Sequence, residues 1–295
     1  MATDPVQPDA TETFEQHRST LVGAAYRILG SRVEAEDVVQ DAWIRWSDVE
    51  HDGVKNPRAF LLTVTTRLAL NRLRQLSSRR ETYVGPWLPE PTASEPDPRV
   101  DGAAAAQLAD EVSMAMLVVL ESLSPLERAA FVLTDVFGMA APEVGEALER
   151  SPAAVRQLVH RARSHVRARE PRHLVDADRH RAVTEKFLEA TGTGDVDALL
   201  RLLAPDVVLV SDGGGVKQAA LRPIHSAAKV ARWLFGVLRK EEDHELGAEL
   251  RTINGETAVV LFLDGEVDTV TFLTVEDDLI TALYLVRNPE KLGAV

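Results

Sequence analysis

Only three residues, Glu149-Arg150-Ser151, separate two segments that both carry helix signals, and a gap that short forces the second helix to turn sharply against the first. The first segment is Ala141-Pro142-Glu143-Val144-Gly145-Glu146-Ala147-Leu148, and the second runs from Ser151 to Arg169. This is helix-turn-helix spacing. Ser151 can cap the second helix, and Pro152 suits its first turn, where a missing N–H costs nothing. Val155, Leu158, Val159, Ala162 and Val166 then recur at helical spacing and form one stripe for burial. The outward side is left to Arg156, Gln157, His160, Arg161, Arg163, Ser164 and Arg167. Such a face can hold phosphates and read base edges, because Arg matches guanine O6/N7 and Gln matches adenine N6/N7. The alternative is a solvated basic face, which is how most charged helix faces read. A third helix precedes the pair, opened by the capping box Ser124-Pro125-Leu126-Glu127, in which Ser and Glu each satisfy an orphan N–H, and closed by Gly138.

With 295 residues and 45% hydrophobic content the chain can bury a full core and divide into two or three domains. The absence of Cys excludes disulfides, thiol nucleophiles and Cys-based zinc sites, and fits a reducing compartment. No signal-peptide pattern opens the chain, and no apolar run approaches the roughly 18 residues of a membrane span. The expectation is a soluble, cytoplasmic protein with no membrane, metal or cofactor requirement. A net charge of -13 argues against indiscriminate binding of nucleic acid, so local charge matters more. Residues 56–80 carry six Arg and no acid, and residues 151–169 carry five Arg and no acid. Residues 31–52 carry seven acids against two Arg. Two basic helices and one acidic helix imply different partners for different faces.

Punctuation divides the chain further. Residues 12–80 read as helical: one segment stops at Gly30, a second runs from Val33 to about Ser47, and a third starts at Asn56-Pro57 and continues through Leu76. Residues 81–102 form a semi-rigid connector rich in Pro, with Pro86, Pro89, Pro91, Pro96 and Pro98. Residues 103–172 are a second helical domain, resuming near Ala103 and ending around Pro171-Arg172. From 178 to 295 the texture changes to helix and then β-rich runs at 207–210, 258–263, 267–273 and 279–286, with Asn254-Gly255 and Asp264-Gly265 as hairpin turns.

These features together resemble a bacterial extracytoplasmic-function sigma factor. Tyr26-Arg27-Ile28-Leu29-Gly30-Ser31 with Ala35-Glu36-Asp37-Val38-Val39-Gln40-Asp41-Ala42-Trp43 is similar to the family's segment that docks on core RNA polymerase. The resemblance therefore implies that Asp37, Gln40 and Asp41 contact the polymerase; Asp37 and Asp41 lie four apart on one helix face. The stretch from Ala59 to Arg74 is similar to the helix that opens and reads the promoter -10 element. Arg67, Asn71 and Arg74 share a face there, with Arg72 adjacent, and cations beside an aromatic such as Phe60 suit single-stranded DNA. Phe60 reads equally as a core residue. The family more often has Asn at Arg67 and Asp at Asn71. The helix-turn-helix takes the place of the -35 reader, which assigns Arg156, Gln157, His160, Arg161, Arg163 and Arg167 to duplex DNA.

The connector string Tyr83-Val84-Gly85-Pro86-Trp87-Leu88-Pro89-Glu90-Pro91 resembles the linker of the SigJ-like subgroup, which carries a SnoaL-like C-terminal domain. Asp212-Gly213-Gly214-Gly215-Val216-Lys217 and Asn288-Pro289-Glu290-Lys291-Leu292 resemble that subgroup's two C-terminal motifs, with Val216 interrupting the usual Gly-Gly-Gly-Lys. The implied fold is multidomain: two all-α sigma domains, then an α+β SnoaL-like or NTF2-like cone built of helices followed by an antiparallel meander. The resemblance implies that Asp212, Gly213, Gly214, Gly215 and Lys217, with Asn288, Pro289, Lys291 and Leu292, act in regulation in cis, meeting the helical modules or the connector. The cone's pocket is open to a small-molecule ligand. Asp212, His225 and His244 are the polar candidates for an isomerase-like site, but no acid/base pairing singles out a catalytic residue. The alternative to a sigma factor is a helix-turn-helix regulator with a ligand-sensing or vestigial isomerase-like domain.

Overall fold

Segments that carry their own caps fold locally, and here they set most helix boundaries. The structure, a computed structural model, describes residues 10–93, 112–169, 175–241 and 243–295. The expected restart near Ala103, the end at Pro171-Arg172, Pro96 and Pro98, and the side chains of Arg79 and Arg80 lie outside the described residues. Two compact units result, one from 10–78 and 119–168, the other from 79–93, 112–118 and, within the described residues, 169–295. No described helix is long and apolar enough to cross a membrane.

The first unit begins with α1 (Ala10–Leu29), α2 (Arg32–Ser47) and α3 (Pro57–Glu81). Gly30 at φ +71° ends α1, and the Ser31 hydroxyl accepts the Glu34 N–H to start α2. These helices bury Leu21, Ile28, Leu29, Val38, Val39, Trp46, Leu61 and Leu62. The third helix runs past Leu76, because no breaker intervenes in the sequence before residue 82.

α4 (Met114–Glu121), α5 (Pro125–Phe131), α6 (Ala141–Leu148) and α7 (Pro152–Arg169) follow. The expected capping box opens α5 at Ser124 and Glu127. The Glu127 carboxylate accepts from both the Ser124 N–H and the Ser124 hydroxyl. Beyond α5 the chain widens into a π turn, Val132–Val136, before Gly138 at φ +68° stops it. In the helix-turn-helix, Glu149 takes the left-handed conformation and Ser151 accepts the Ala154 N–H. Gly145 is required by the turn itself: a Cβ there would lie 2.6 Å from the Arg150 carbonyl oxygen. All five residues of the apolar stripe on α7 are buried.

The second unit packs α8 (Ala177–Thr193), α9 (Val196–Leu202) and α10 (Ala227–Leu238) on a six-stranded sheet. Its strands are β1 (Leu203–Asp212), β2 (Ile224–His225), β3 (Leu246–Ile253), β4 (Glu256–Leu263), β5 (Glu266–Glu276) and β6 (Leu279–Val286), in spatial order β2-β1-β6-β5-β4-β3. The meander β3 to β6 is antiparallel as expected, but β1 lies parallel to β6, so the sheet is mixed. The parallel pairing arises because β1 and β6 are far apart in sequence, and the intervening elements return the chain in the same direction. Asn254-Gly255 and Asp264-Gly265 form the hairpin turns with positive φ, while the β5–β6 turn uses Asp277-Asp278.

Alternation along the strands sends apolar residues to both sheet faces. Val259, Leu273 and Leu285 pack with Phe187, Leu199 and Leu234 of the helices. Val260, Val270 and Phe272 pack instead with Leu88, Met114 and Leu292. At the edge of this second core Glu256 accepts the Met114 N–H at 2.7 Å, and burial pushes its carboxyl up to about 7, against the lowering effect of that hydrogen bond.

A folded-state pKa raised above its unfolded value means that stability falls as pH rises between the ordinary Glu range and about 7. Glu256→Gln keeps an acceptor for Met114 and removes the titration. Denaturant melts should show the variant gaining on the parent by roughly 2 kcal/mol between pH 5 and pH 8. Parallel pH profiles would show that Glu256 is not the titrating group.

Candidate nucleic-acid interface

Helical periodicity places Val33, Asp37, Gln40, Asp41 and Ile44 on one face of α2. All five are exposed, Val33 by 60% and Ile44 by 55%, so this acidic face with apolar ends stands largely open among the described residues. Asp37, Gln40 and Asp41 line a polar groove of about 380 Å³ together with Asn71 and Arg72 of α3. The structure thus brings the expected polymerase-docking and -10 residues to neighbouring surfaces. Arg72 is turned toward α2, where it pairs with Glu34 and stands 4.0 Å from Asp37. Arg74 donates to Asn71 at 2.7 Å. Phe60 is half-buried, its ring tilted 5.7 Å from that of Trp46.

Arg67 is exposed on α3 yet donates to the carbonyls of Glu146 and Ala147 at 2.5 and 3.1 Å. These are among the last carbonyls of α6, and that of Glu146 otherwise accepts only a long bond from the Glu149 N–H at the helix end. Two other arginines join the same sets of helices. Arg58 donates to the Phe137 carbonyl at 3.2 Å. Arg128, 3% exposed, donates to the Ile28 carbonyl at 2.7 Å while both Glu121 oxygens hold it at 2.9 and 3.0 Å.

On α7 the six expected DNA residues are all exposed, but their charges are not equally available. Arg161 pairs with Glu127 at 2.7 Å, and Arg163 pairs with Asp135 at 2.8 Å. Hydrogen bonds from Ser124 and Arg161 hold Glu127 below the usual carboxylate range. Arg156, Gln157, His160 and Arg167 have no hydrogen-bond or ion-pair partner among the described residues. Ala153, Arg156, Gln157, His160 and Arg161 form a shallow concavity on this face.

The Gly-rich loop and the terminal motif close on the connector within the second unit. Asp212, wholly buried, accepts from the Tyr83 hydroxyl at 2.5 Å, the Leu88 N–H at 2.9 Å, the Gly214 N–H at 3.1 Å and the Lys291 ammonium at 2.7 Å. Lys291 also donates to the Leu88 carbonyl and lies 3.1 Å from the centre of the Trp87 ring. Asn288 donates to the Tyr83 hydroxyl at 2.9 Å, and Leu292 packs beside Leu88. Burial, reinforced by Asp212, raises the Tyr83 hydroxyl well above the usual phenol range, so it remains a proton donor. A Cβ on Gly214 would meet the Asn288 amide at 2.5 Å, which requires glycine there; one on Gly215 would meet Val84 at 3.1 Å. Gly213 accepts the Lys217 N–H in the turn, and Pro289 starts the short helix that carries Lys291. Lys217 points elsewhere, to Asp268 at 2.7 Å.

Sequence reasoning missed the receiving side of this cluster, Tyr83 and Leu88, and also Asp268 and Arg287. The only signal was their membership in, or adjacency to, the quoted motifs. Of the isomerase-like candidates, Asp212 is consumed by the connector, His225 is exposed, and His244 pairs with Asp264 on the surface.

An acidic helix, a cationic helix and a helix-turn-helix on one chain define the class of bipartite promoter-binding proteins. Residues 13–79 match the Sigma-70 region 2 family model and residues 113–166 the Sigma-70, region 4 model. The ECF RNA polymerase sigma factor SigJ of Mycobacterium tuberculosis is 41% identical over 245 residues, 82% of this chain and 78% of SigJ. The probable sigma factor SigI of the same species is 35% identical over 69% of each chain. The crystal structure of M. tuberculosis SigJ superposes with a TM-score of 0.76 at 35% identity, covering 96% of this chain and 98% of that one. The chain belongs to the extracytoplasmic-function RNA polymerase sigma factors. It is therefore a transcription initiation factor that binds core RNA polymerase and promoter DNA, and it is not an enzyme.

Proposed function

We propose that the exposed α2 face, with Asp37, Gln40 and Asp41 between Val33 and Ile44, is the polymerase-docking surface. Its mixture of anionic and apolar groups suits a partner helix that is basic with an apolar seam. The -10 element is read by α3 through Arg67, Asn71, Arg72 and Arg74, with Phe60 supporting the helix from its packed position. Because Arg67 is held by the α6 carbonyls, its use on DNA requires that this contact open. The -35 element is read by α7, with Arg156, Gln157 and His160 as base-edge residues and Arg161, Arg163 and Arg167 toward phosphate. The factor acts in the cytoplasm, where the polymerase is.

The second unit modulates initiation in cis by holding the connector, and its pocket takes a small molecule. The observation that carries this reading is the buried Asp212 carboxylate, which takes two of its hydrogen bonds from the connector itself. Lys291 and Asn288 complete the grip, and Gly213, Gly214, Gly215, Pro289 and Leu292 supply its close contacts. Lys217 serves the neighbouring Asp268.

Run-off transcription with core polymerase tests the assignment directly. Asp41→Ala should weaken association with core polymerase severalfold while leaving -35 duplex binding unchanged; unaltered association would remove the docking role. Arg156→Ala should cost about 1–3 kcal/mol and relax preference at one -35 position. An even loss over all sequences would make it a phosphate contact. Tyr83→Phe removes the hydroxyl shared by Asp212 and Asn288 and should lower stability by about 1 kcal/mol. It should also change run-off yield from a fixed promoter severalfold, and an unchanged yield would separate the grip from regulation.

A further inference from the structure

Between α8, α10 and the sheet, the second unit keeps a cavity of about 490 Å³ that its own side chains do not fill. Phe187, Trp233, Leu234, Val259, Leu261 and Leu285 make its walls apolar. Protein interiors are close-packed, so an apolar void of drug-like size is costly unless something occupies it.

At the polar end, the charges cancel. Arg287, 3% exposed, donates to Asp268 at 2.9 Å, to Thr269 at 3.1 Å and to the Gln218 carbonyl at 2.7 Å, with Glu241 at 3.4 Å. Lys217 holds the other Asp268 oxygen. Against the opposing effect of burial, these bonds and the Arg287 charge keep Asp268 below the usual carboxylate range. Asp268 is therefore ionised, saturated and a poor base, and the floor sums two cations with two anions. A charged ligand head would have to displace one of these pairs in a desolvated setting. Arg239 stands at the rim, exposed.

Two polar groups that line the cavity, the half-buried Trp233 indole N–H and the Thr271 hydroxyl, have no hydrogen-bond partner among the described residues. Thr271 sits between Val259 and Leu285 in the strand register, is 2% exposed and lines the cavity, and its hydroxyl has no partner among the described residues. Its oxygen is not one of the fully enclosed unpartnered atoms, so the cavity reaches it, and a hydroxyl that no protein group occupies can donate to one ligand oxygen.

We propose that this cavity binds a neutral, largely apolar small molecule whose single hydroxyl or carbonyl oxygen is received by Thr271. The proposal rests on the pocket reading above and names its ligand class. Arg287 also connects the floor to the connector grip, since its N–H donates to the Asp212 carbonyl at 2.7 Å.

The full chain is titrated with the neutral fluorescent probe N-phenyl-1-naphthylamine, which is then displaced by 1-decanol, decanoate or decylammonium. Decanol should displace at concentrations at least about tenfold lower than either ion. Thr271→Val should raise decanol's half-displacing concentration about three- to tenfold and leave probe affinity unchanged. Ala248→Trp, at the exposed mouth, should abolish probe binding with the thermal melt intact. Equal displacement by the ions, an unchanged decanol value in Thr271→Val, or full probe binding in Ala248→Trp would each overturn the assignment. Run-off transcription with decanol separates the two readings. The expected displacement order with indifferent transcription keeps the ligand class and removes ligand control, whereas a failed order removes the ligand class whatever transcription does.

Discussion

A sheet whose strands are apolar on both faces has to be covered twice, and in this chain the second cover comes partly from outside the C-terminal sequence. Leu88 of the connector, Met114 and Leu292 close the face that α8 to α10 leave open. Apolar burial alone would let the connector slide. Asp212 fixes it, because a wholly buried carboxylate must have its charge paired and its lone pairs occupied, and Tyr83, Leu88 and Lys291 supply those partners. The connector is thus structurally part of the second unit.

Charge is distributed with similar economy. The chain is strongly acidic overall, and many of its nominated cations are already engaged: Arg72 with Glu34, Arg161 with Glu127, Arg163 with Asp135, and Arg67 with backbone carbonyls. Surface pairs of this kind are individually weak, so they yield to phosphate without a large cost. Among the described residues, the α7 residues expected to contact DNA that keep no ion-pair or hydrogen-bond partner are Arg156, Gln157, His160 and Arg167.

The helices were legible because their signals are local. The turn at Glu149-Arg150-Ser151, the α7 stripe and the Gly30 and Gly138 stops each depend on residues a few positions apart, and each appears where the sequence puts it. The mixed sheet was less legible, since the pairing of β1 with β6 is a contact between distant segments with no periodic mark. β3 was obscured by its charged residues, and the Asp277-Asp278 turn lacks the glycine that advertises the other two hairpins. Among site residues, exposure of the α2 and α7 faces follows from periodicity. The burial of Phe60 against Trp46 and the diversion of Arg72 to Glu34 do not, because both depend on how α3 lies against its neighbours. The terminal motif was recognisable as a string, yet its chemistry became clear only with Tyr83 placed beside Asn288.

Asn288 and Lys291 grip residues made some two hundred positions earlier, and β6 is the partner that β1 needs on its inner edge. During synthesis the helical regions can fold as they emerge, while the grip has to wait until Asn288 and Lys291 are made. A chain cut short by a nonsense mutation or a protease before that point would leave the helical regions complete and the connector untied. Truncation would therefore act in two stages, loosening the connector before it removes any helical region.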